Sequence, residues 1–187
     1  MRIISGKFKG RKISPPKNLP VRPTTDMSKE SLFNILNNTF DFNGLRVLDL
    51  FSGTGNISYE FASRGAGPIV SIDEDFGCIK FIKKTAEEFG FDLIAQKINV
   101  FTFLEKASGS FDVIFADPPY QMEEHRLHKL VHLIFDRGLL EPDGLLVVEH
   151  SKHTSLDEAP HFSYRKNYGG SVFSFFEFPE EETDDED

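Results

Sequence analysis

Short apolar runs alternate with segments of helical length between residues 45 and 149, and this alternation constrains the fold more than any other feature of the sequence. Short apolar runs bounded by glycines and polar residues are typical of buried strands. Strands that alternate with helices form βαβ units around a parallel sheet. The pattern therefore predicts an α/β fold, with strands at residues 45–50, 69–72, 93–98, 111–116 and 145–149.

Helices are expected between these strands, at residues 56–64, 76–89, 101–106 and 123–137. Thr25 or Asp26 can cap a further helix that ends near residue 38. After the fifth strand, two glycines at 169–170 separate strand-like segments at 162–166 and 172–178. This spacing is typical of a β-hairpin, and we predict that the hairpin closes one edge of the sheet.

Charge is distributed unevenly along the chain, whose formal net charge is −9. Residues 1–25 contain seven bases and no acid, and their glycines and prolines favour turns and extended chain around a short strand at 2–4. Residues 177–187 contain eight acids and no base, which is typical of a disordered segment. We therefore predict three parts: a basic N-terminal arm at 1–25, a folded domain at 26–178 and a disordered acidic tail at 179–187.

Several classes of protein are disfavoured. The single cysteine, Cys78, cannot form an internal disulfide, and the first ten residues lack the apolar stretch of a secretory signal. No apolar run approaches the roughly 20 residues that span a bilayer. His125, His128 and His132 fall on one face of a predicted helix, but no nearby ligand completes a metal site. We expect a cytoplasmic protein without a membrane or a metal.

The first strand ends in a glycine turn, Asp49-Leu50-Phe51-Ser52-Gly53-Thr54-Gly55, that opens a helix. Ligands of open parallel sheets bind beyond the carboxyl ends of the strands, where glycines let the backbone approach them. Ser58 replaces the third glycine of a dinucleotide fingerprint, and Asp49 does not suit a phosphate, so a ligand with a cationic or amino-acid end is favoured. Asp73 ends the next strand, where it either accepts both ribose hydroxyls or caps a helix. The combination favours a nucleoside ligand.

The fourth strand ends in Asp117-Pro118-Pro119-Tyr120. The two prolines fix the backbone and supply no N–H, which leaves carbonyl oxygens beside the carboxylate to accept from an exocyclic amine. The ring of Tyr120 can stack on a base that has left its helix. The alternative is that the prolines only end the strand and the tyrosine fills a gap. Acceptors of this kind suit methylation of an amine, because they orient its lone pair and stabilise developing positive charge.

These motifs and the N-terminal segments resemble the RsmD-type 16S ribosomal RNA (guanine-N2) methyltransferases, within the class I S-adenosylmethionine-dependent methyltransferases. The specific segments are Arg2-Ile3-Ile4-Ser5-Gly6, Lys9-Gly10-Arg11-Lys12 and Arg22-Pro23-Thr24-Thr25-Asp26. The resemblance covers about residues 1–178. It implies a Rossmann-like α/β fold whose seven-stranded, mostly parallel sheet has one antiparallel strand and an N-terminal basic β arm.

The resemblance also implies a role for three groups of residues. The residues expected to bind S-adenosylmethionine are Asp49, Phe51, Gly53, Gly55, Asp73, Asn99 and Val100. The residues expected to hold the target guanine as catalytic residues are Asp117, Pro118, Pro119 and Tyr120. The residues expected to contact RNA are Arg2, Lys7, Lys9, Arg11, Lys12 and Arg22.

The function expected from the resemblance is methylation of the exocyclic N2 amine of one guanine, in ribosomal RNA or in the small-subunit particle, by a monomeric bacterial enzyme. Two alternatives stay open. The motif at residues 117–120 also suits a DNA adenine-N6 methyltransferase, although no sizeable domain that would read a DNA site is present. A ribosome assembly factor that binds RNA without catalysis is the other alternative, although the intact glycine turn and the motif at 117–120 argue against it.

Overall fold

The computed structural model describes residues 1–22 and 24–181, which form one seven-stranded sheet flanked by helices. The strands are β1 Val47–Leu50, β2 Ile69–Asp73, β3 Leu93–Lys97, β4 Phe111–Ala116, β5 Leu140–Ser151, β6 Phe162–Tyr168 and β7 Ser171–Phe176. The helices are α1 Asp26–Thr39, α2 Asn56–Ser63, α3 Phe76–Phe89, α4 Val100–Lys106 and α5 Glu124–Asp136. The predicted α/β alternation is confirmed.

The strand order across the sheet is β3-β2-β1-β4-β5-β7-β6. Strand β7 is antiparallel to both of its neighbours, and the other pairings are parallel. The prediction of a mostly parallel sheet with one antiparallel strand is therefore confirmed, as is the hairpin that closes one edge. Because β1, β2, β4 and β5 run in the same direction, their carboxyl ends lie at one edge of the sheet.

Strand β5 is longer than the sequence predicts. The apolar run places its start at residue 145, because Pro142 and Gly144 are typical of a turn, yet the strand begins at Leu140. The register between β4 and β5 shifts next to Phe111, so the extra residues are accommodated as an irregularity of the ladder. An added Cβ at Gly144 would lie 2.9 Å from the carbonyl oxygen of Asp112, which explains why this position lacks a side chain.

Each face of the sheet buries its own hydrophobic cluster. Val47 and Ile69 point towards α1 and α2, whereas Leu48 and Ile72 point towards α4 and α5. Neighbouring residues of a strand face opposite sides, so continuous apolar runs such as these are what a sheet covered by helices on both faces requires. The apolar interior leaves the loops at the strand ends as the places where polar groups gather.

The first thirteen residues fold back on themselves and lie against α2 and α3. Arg2 and Lys12 form one isolated antiparallel bridge rather than an extended strand. The side chains of Ile3 and Ile13 are buried, and Phe8 packs edge-on against Phe89 with ring centroids 5.1 Å apart. We call residues 1–13 the N-terminal hairpin. Its contacts hold it against the domain, so that its lysines and arginines form part of the domain surface.

Among residues 1–22 and 24–181, no helix has the length and apolar character needed to cross a membrane. The acidic tail predicted at residues 179–187 lies outside the described part of the chain from residue 182 onward.

Candidate functional site

A cleft of about 990 Å³ opens at the carboxyl edge of the sheet, above β1, β2 and β4. It brings together most of the side chains that the sequence singled out. The predicted residues that line the cleft are Arg22, Asp49, Phe51, Gly53, Asp73, Asn99, Val100, Asp117, Pro118, Pro119 and Tyr120. The cleft therefore has one end near the glycine turn and another near residues 117–120.

Asp49 supplies a buried acceptor at the glycine-turn end of the cleft. Its Oδ2 accepts a hydrogen bond of 2.6 Å from the hydroxyl of Ser58, which lies 2.7 Å from the hydroxyl of Ser71. Its Oδ1 is buried and has no partner within the described residues. Burial raises the pKa of Asp49 to about 7. A buried carboxylate oxygen that lacks a donor fits the ammonium group of an amino-acid ligand.

The two glycines of the turn are required for different reasons. Gly53 has a φ of +54°, and its backbone N–H donates to Oδ2 of Asp73 at 2.9 Å. Gly55 has a φ of +89°, and an added Cβ would lie 2.6 Å from the ring of Tyr59. Gly55 is absent from the cleft lining, so its missing side chain serves the packing of α2 rather than the approach of a ligand.

Asp73 is fixed by the backbone at the end of β2. Oδ2 accepts from the N–H of Gly53 and Oδ1 accepts from the N–H of Asp75, both at 2.9 Å. A carboxylate has about four lone-pair sites, so this arrangement orients the group and leaves room for two hydroxyl donors. Asn99 is held in a similar way, since its side chain caps α4 at Thr102 and donates to Glu74. Glu74 also lines the cleft and was not among the predicted residues.

The other end of the cleft is organised around Asp117, which follows β4. The guanidinium group of Arg22 donates from Nη2 to Oδ1 of Asp117 at 3.0 Å and lies 3.6 Å above the centre of the Tyr120 ring. The hydroxyl of Tyr120 is hydrogen-bonded to that of Ser171 at 2.7 Å, which fixes the ring although the residue is 44% exposed. The ring is thereby presented as a flat surface for a planar group.

Glu149 is a second carboxylate at this end, more deeply buried than Asp117, and it is not among the residues that the sequence predicted. Ala116 pairs with Val148 across the parallel strands β4 and β5, so Asp117 and Glu149 are the next residues along. The Nη2 atom of Arg22 lies 3.6 Å from Oε1 of Glu149, and Oε2 is buried without a partner within the described residues. The signal that would have found it is an acid at the end of the apolar run 145–149, the pattern already seen at Asp73.

We call Asp117 and Glu149 the carboxylate pair. Burial, followed by the charge of Glu149, raises the pKa of Asp117, and the charge of Arg22 opposes this shift. Burial likewise raises the pKa of Glu149. The two carboxylates share a single guanidinium group, whose charge offsets their raised pKa values only in part.

The bases predicted to contact RNA are separated by the structure into two groups. Five of them are exposed on the N-terminal hairpin: Arg2, Lys7, Lys9, Arg11 and Lys12. The sixth, Arg22, reaches into the cleft and contacts the carboxylate pair instead. In the described ranges 1–22 and 24–181, no three His, Cys, Asp or Glu side chains are grouped as a metal site, and His128 instead lies 3.2 Å from the carbonyl oxygen of Ser155.

This fold, with a nucleoside-type cleft at the carboxyl edge of the sheet and Asp-Pro-Pro-Tyr after β4, defines a class I methyltransferase. Residues 1–177 match the family described as Conserved hypothetical protein 95, and the chain belongs to this family of RsmD-type methyltransferases. The resemblance inferred from the sequence is confirmed.

Named relatives agree with this assignment. The chain is 37% identical to YlbH of Bacillus subtilis over 163 residues, which cover 84% of this chain and 86% of the relative. It is 30% identical to ribosomal RNA small subunit methyltransferase D of Escherichia coli over 161 residues, which cover 86% and 79% of the two chains. The solved structure of Escherichia coli yhhF superposes with a TM-score of 0.83 at 28% identity and covers 94% of this chain and 96% of that one.

Proposed function

We propose that this protein methylates the exocyclic N2 amine of a guanine in 16S ribosomal RNA, as naked RNA or within the small-subunit particle, in the bacterial cytoplasm. The observation that carries the proposal is a single cleft that joins two kinds of subsite. One end offers the unpartnered carboxylate oxygen of Asp49, and the other offers the carboxylate of Asp117 beside the ring of Tyr120. The relatives named as ribosomal RNA methyltransferases support the choice of substrate.

The residues of the glycine-turn end fit S-adenosylmethionine. Asp49 would accept from the ammonium group of its methionine part, and Asp73 would accept from the ribose hydroxyls, since its orientation is already fixed by two backbone amides. Asn99 and Val100 would border the adenine. Bound S-adenosylmethionine would supply the methyl group as an electrophile on a sulfonium centre.

The residues of the other end would hold and orient the amine. Tyr120 would stack on the guanine and so fix the plane of the base. Asp117 would accept one N–H of the amine, stabilise the positive charge that develops on the nitrogen, and receive the proton that the amine loses. The carbonyl oxygen of Pro118 would accept the other N–H of the amine. Pro118 and Pro119 would hold both acceptors rigidly at the end of β4, because neither residue has free rotation about φ.

The test uses S-adenosylmethionine labelled in the methyl group and separate pools of ribosomal RNA, small-subunit particles and DNA. We expect label in ribosomal RNA or in the particles, recovered as N2-methylguanosine after digestion to nucleosides and mass spectrometry. Asp117→Ala should lower the rate by roughly 100-fold or more while the affinity for the cofactor, measured by calorimetry, changes little.

Two outcomes would overturn the proposal, and a third would remove Asp117 from the reaction. Label recovered in DNA as N6-methyladenine identifies a DNA methyltransferase. Binding of RNA without binding of the cofactor identifies an assembly factor. Loss of cofactor binding and of thermal unfolding cooperativity together in Asp117→Ala would show that Asp117 maintains the fold rather than the reaction.

A further inference from the structure

Arg126 is a base of the cleft that the proposed reaction leaves unused. It lies in the first turn of α5, where it is exposed, and its guanidinium group stacks over the ring of Phe101, with 4.7 Å between the central carbon and the ring centre. Phe101 is buried in the core, so this contact holds the guanidinium group at a fixed place on the rim of the cleft. The ring covers one face of the group and leaves its N–H edges available to an acceptor.

Arg126 forms no ion pair within the part of the chain that the structure describes. The ion pairs of α5 in residues 1–22 and 24–181 belong to its neighbours. The acid that precedes the helix, Glu123, lies 3.2 Å from Nδ1 of His125, and Lys129, one turn along the helix, lies 3.9 Å from Glu105. A guanidinium group has five N–H donors, so without such a pair it is suited to bind an anion from outside the protein.

An RNA strand that approaches the cleft meets an acidic lining. The acidic side chains that line it are Asp49, Asp73, Glu74, Asp75 and Asp117. Among the described residues, two bases line the cleft, Arg22 and Arg126, and Arg22 is paired with Asp117 at 3.0 Å. Positive charge at the mouth of such a cleft attracts a polyanion that the acids would otherwise repel. Arg126 is therefore the cleft-lining base that an incoming phosphate can bind without first breaking an ion pair.

The basic N-terminal hairpin and Arg126 flank the cleft from opposite faces of the sheet. The hairpin packs on α2 and α3, where Ile3 belongs to the same cluster as Tyr59 and Ile82. Arg126 belongs to α5, whose Leu127 packs on the other face. The carboxyl edge of the sheet, with the mouth of the cleft, lies between the two positively charged regions.

We propose that Arg126 binds a backbone phosphate of the RNA strand next to the target guanine, so that the strand crosses the carboxyl edge of the sheet from the N-terminal hairpin to α5. The inference rests on the proposed function and deepens it. A base that leaves its helix to enter a pocket brings its flanking phosphates to the mouth of that pocket. The planar guanidinium group matches two phosphate oxygens, whereas a lysine contacts them as a point charge. This contact is the same before and during methyl transfer, so it lowers KM rather than raising kcat.

The experiment measures RNA binding by Arg126→Ala and Arg126→Lys, with Lys129→Ala as the matched control. Lys129 lies on the same helix and over the same ring, at 5.5 Å, but it is outside the cleft lining. The probe is the shortest fragment of 16S ribosomal RNA that the wild type labels. We expect Arg126→Ala to weaken binding roughly tenfold and to lower the slope of log affinity against log salt by about one unit. Its kcat at saturating RNA and its cofactor affinity should stay within about twofold of the wild type. Arg126→Lys should keep the slope and recover part of the affinity, and Lys129→Ala should match the wild type.

A second measurement replaces single phosphates next to the target guanine by neutral methylphosphonates. At one of these positions the wild type should lose roughly tenfold in affinity, whereas Arg126→Ala should lose nothing further, because the same contact is already absent. Losses that add at every position, an equal loss in Lys129→Ala, or a parallel loss of cofactor affinity in Arg126→Ala would overturn the phosphate contact while leaving guanine methylation intact. Recovery of the label as N6-methyladenine would overturn the proposed function itself.

Discussion

Two groups of buried charged side chains differ in how completely they are paired. The first group joins α1 to α2 and consists of Lys29, Glu60 and Arg64, which we call the anchor cluster. Arg64 donates from Nε to Glu60 at 3.0 Å, and Nζ of Lys29 lies 3.4 Å from the same carboxylate. Glu60 also accepts the backbone N–H groups of Ile4 and Ser5, at 2.9 and 3.0 Å. Every part of this buried carboxylate has a donor.

Lys29 is paired as fully as Glu60. Burial lowers its pKa, although the neighbouring charge of Glu60 opposes the shift. Its ammonium group also donates to the carbonyl oxygen of Arg2 at 2.6 Å and to the side chain of Asn56 at 2.9 Å. The three N–H donors of the ammonium group thus meet three acceptors. The carbonyl oxygen of Arg2 belongs to the N-terminal hairpin and the side chain of Asn56 belongs to α2, and the cluster holds these two elements together.

The carboxylate pair has fewer hydrogen-bond donors than acceptors. A partly buried carboxylate, Asp117, and a buried one, Glu149, share the one guanidinium group of Arg22, and an oxygen of Glu149 is unpartnered within the described residues. Burial raises the pKa of both acids, and the charge of Arg22 opposes this shift without abolishing it. The difference teaches that a buried charge with a full set of partners suits a structural role, whereas a deficit of donors supports the proposal that the carboxylate pair binds a ligand.

The largest effect expected from this comparison concerns stability. Glu60→Gln should lower the free energy of unfolding by about 3–5 kcal/mol, because it leaves Lys29 and Arg64 buried without a carboxylate. Glu149→Gln is the matched variant, since both residues are buried glutamates. It should leave stability at pH 7 unchanged or higher, because it removes an uncompensated buried charge. Urea unfolding measures both, and equal losses would break the comparison.

The sequence predicted the end of each central strand well because the signals there are local. The glycine turn after β1, Asp73 after β2 and Asp117 after β4 each follow a short apolar run, and parallel strands bring such ends to one edge. Helix α3 and strand β4 were predicted with the bounds that the structure shows, since Asp75 caps the helix and apolar residues fill the strand.

The parts that the sequence did not predict depend on contacts between distant segments. The position of Arg22 follows from the path of the chain across the cleft, over a separation of 95 residues from Asp117. Burial of Lys29 depends on the N-terminal hairpin, whose backbone oxygen at Arg2 accepts from it. Periodicity and residue type carry no information on either contact, because each joins segments that are far apart in the sequence.

Asp49 extends the comparison to a carboxylate without any cation at hydrogen-bond distance among the described residues. Its pKa is raised to about 7 by burial, whereas an unfolded aspartate titrates near 3.9. Between these two values the folded protein binds a proton that the unfolded chain does not bind, so stability falls as the pH rises from about 4 to about 7. Asp49→Asn removes this contribution. The stability of the variant minus that of the wild type should therefore be larger at pH 8 than at pH 4, by roughly 2–4 kcal/mol.

Thermal unfolding of the wild type and Asp49→Asn from pH 4 to pH 8 measures this difference. The charge of Asp49 also contributes to the raised pKa of Asp117, so Asp49→Asn reduces the destabilisation of the carboxylate pair at high pH and this effect acts in the same direction. We also expect the variant to bind S-adenosylmethionine roughly tenfold more weakly, because an amide cannot pair with the ammonium group as a carboxylate does. Stability curves that stay parallel across this range would show that Asp49 is ionised throughout.

The smallest expected effect concerns RNA binding by the N-terminal hairpin, which the anchor cluster holds in place. Glu60 and Lys29 bind the backbone of the N-terminal hairpin, on which Arg11 and Lys12 are exposed. Charge reversal at Arg11 and Lys12 should weaken RNA binding by roughly tenfold and reduce the salt dependence of binding by about one unit for each phosphate that the variant no longer neutralises. The fold and the cofactor affinity should be unchanged, since neither residue lines the cleft.

The matched control reverses two lysines on the opposite face of the sheet, Lys106 on α4 and Lys129 on α5. Both pairs of substitutions change the net charge by the same amount, so a general electrostatic effect would weaken binding equally in the two variants. A decrease confined to the hairpin variant indicates that the hairpin binds phosphates locally. It would follow that the anchor cluster contributes to RNA binding indirectly, because it fixes the N-terminal hairpin. The carboxylate pair would contribute by direct contact with the base. An unchanged salt dependence in the hairpin variant would remove the hairpin from the RNA surface and leave the anchor cluster with a role in stability alone.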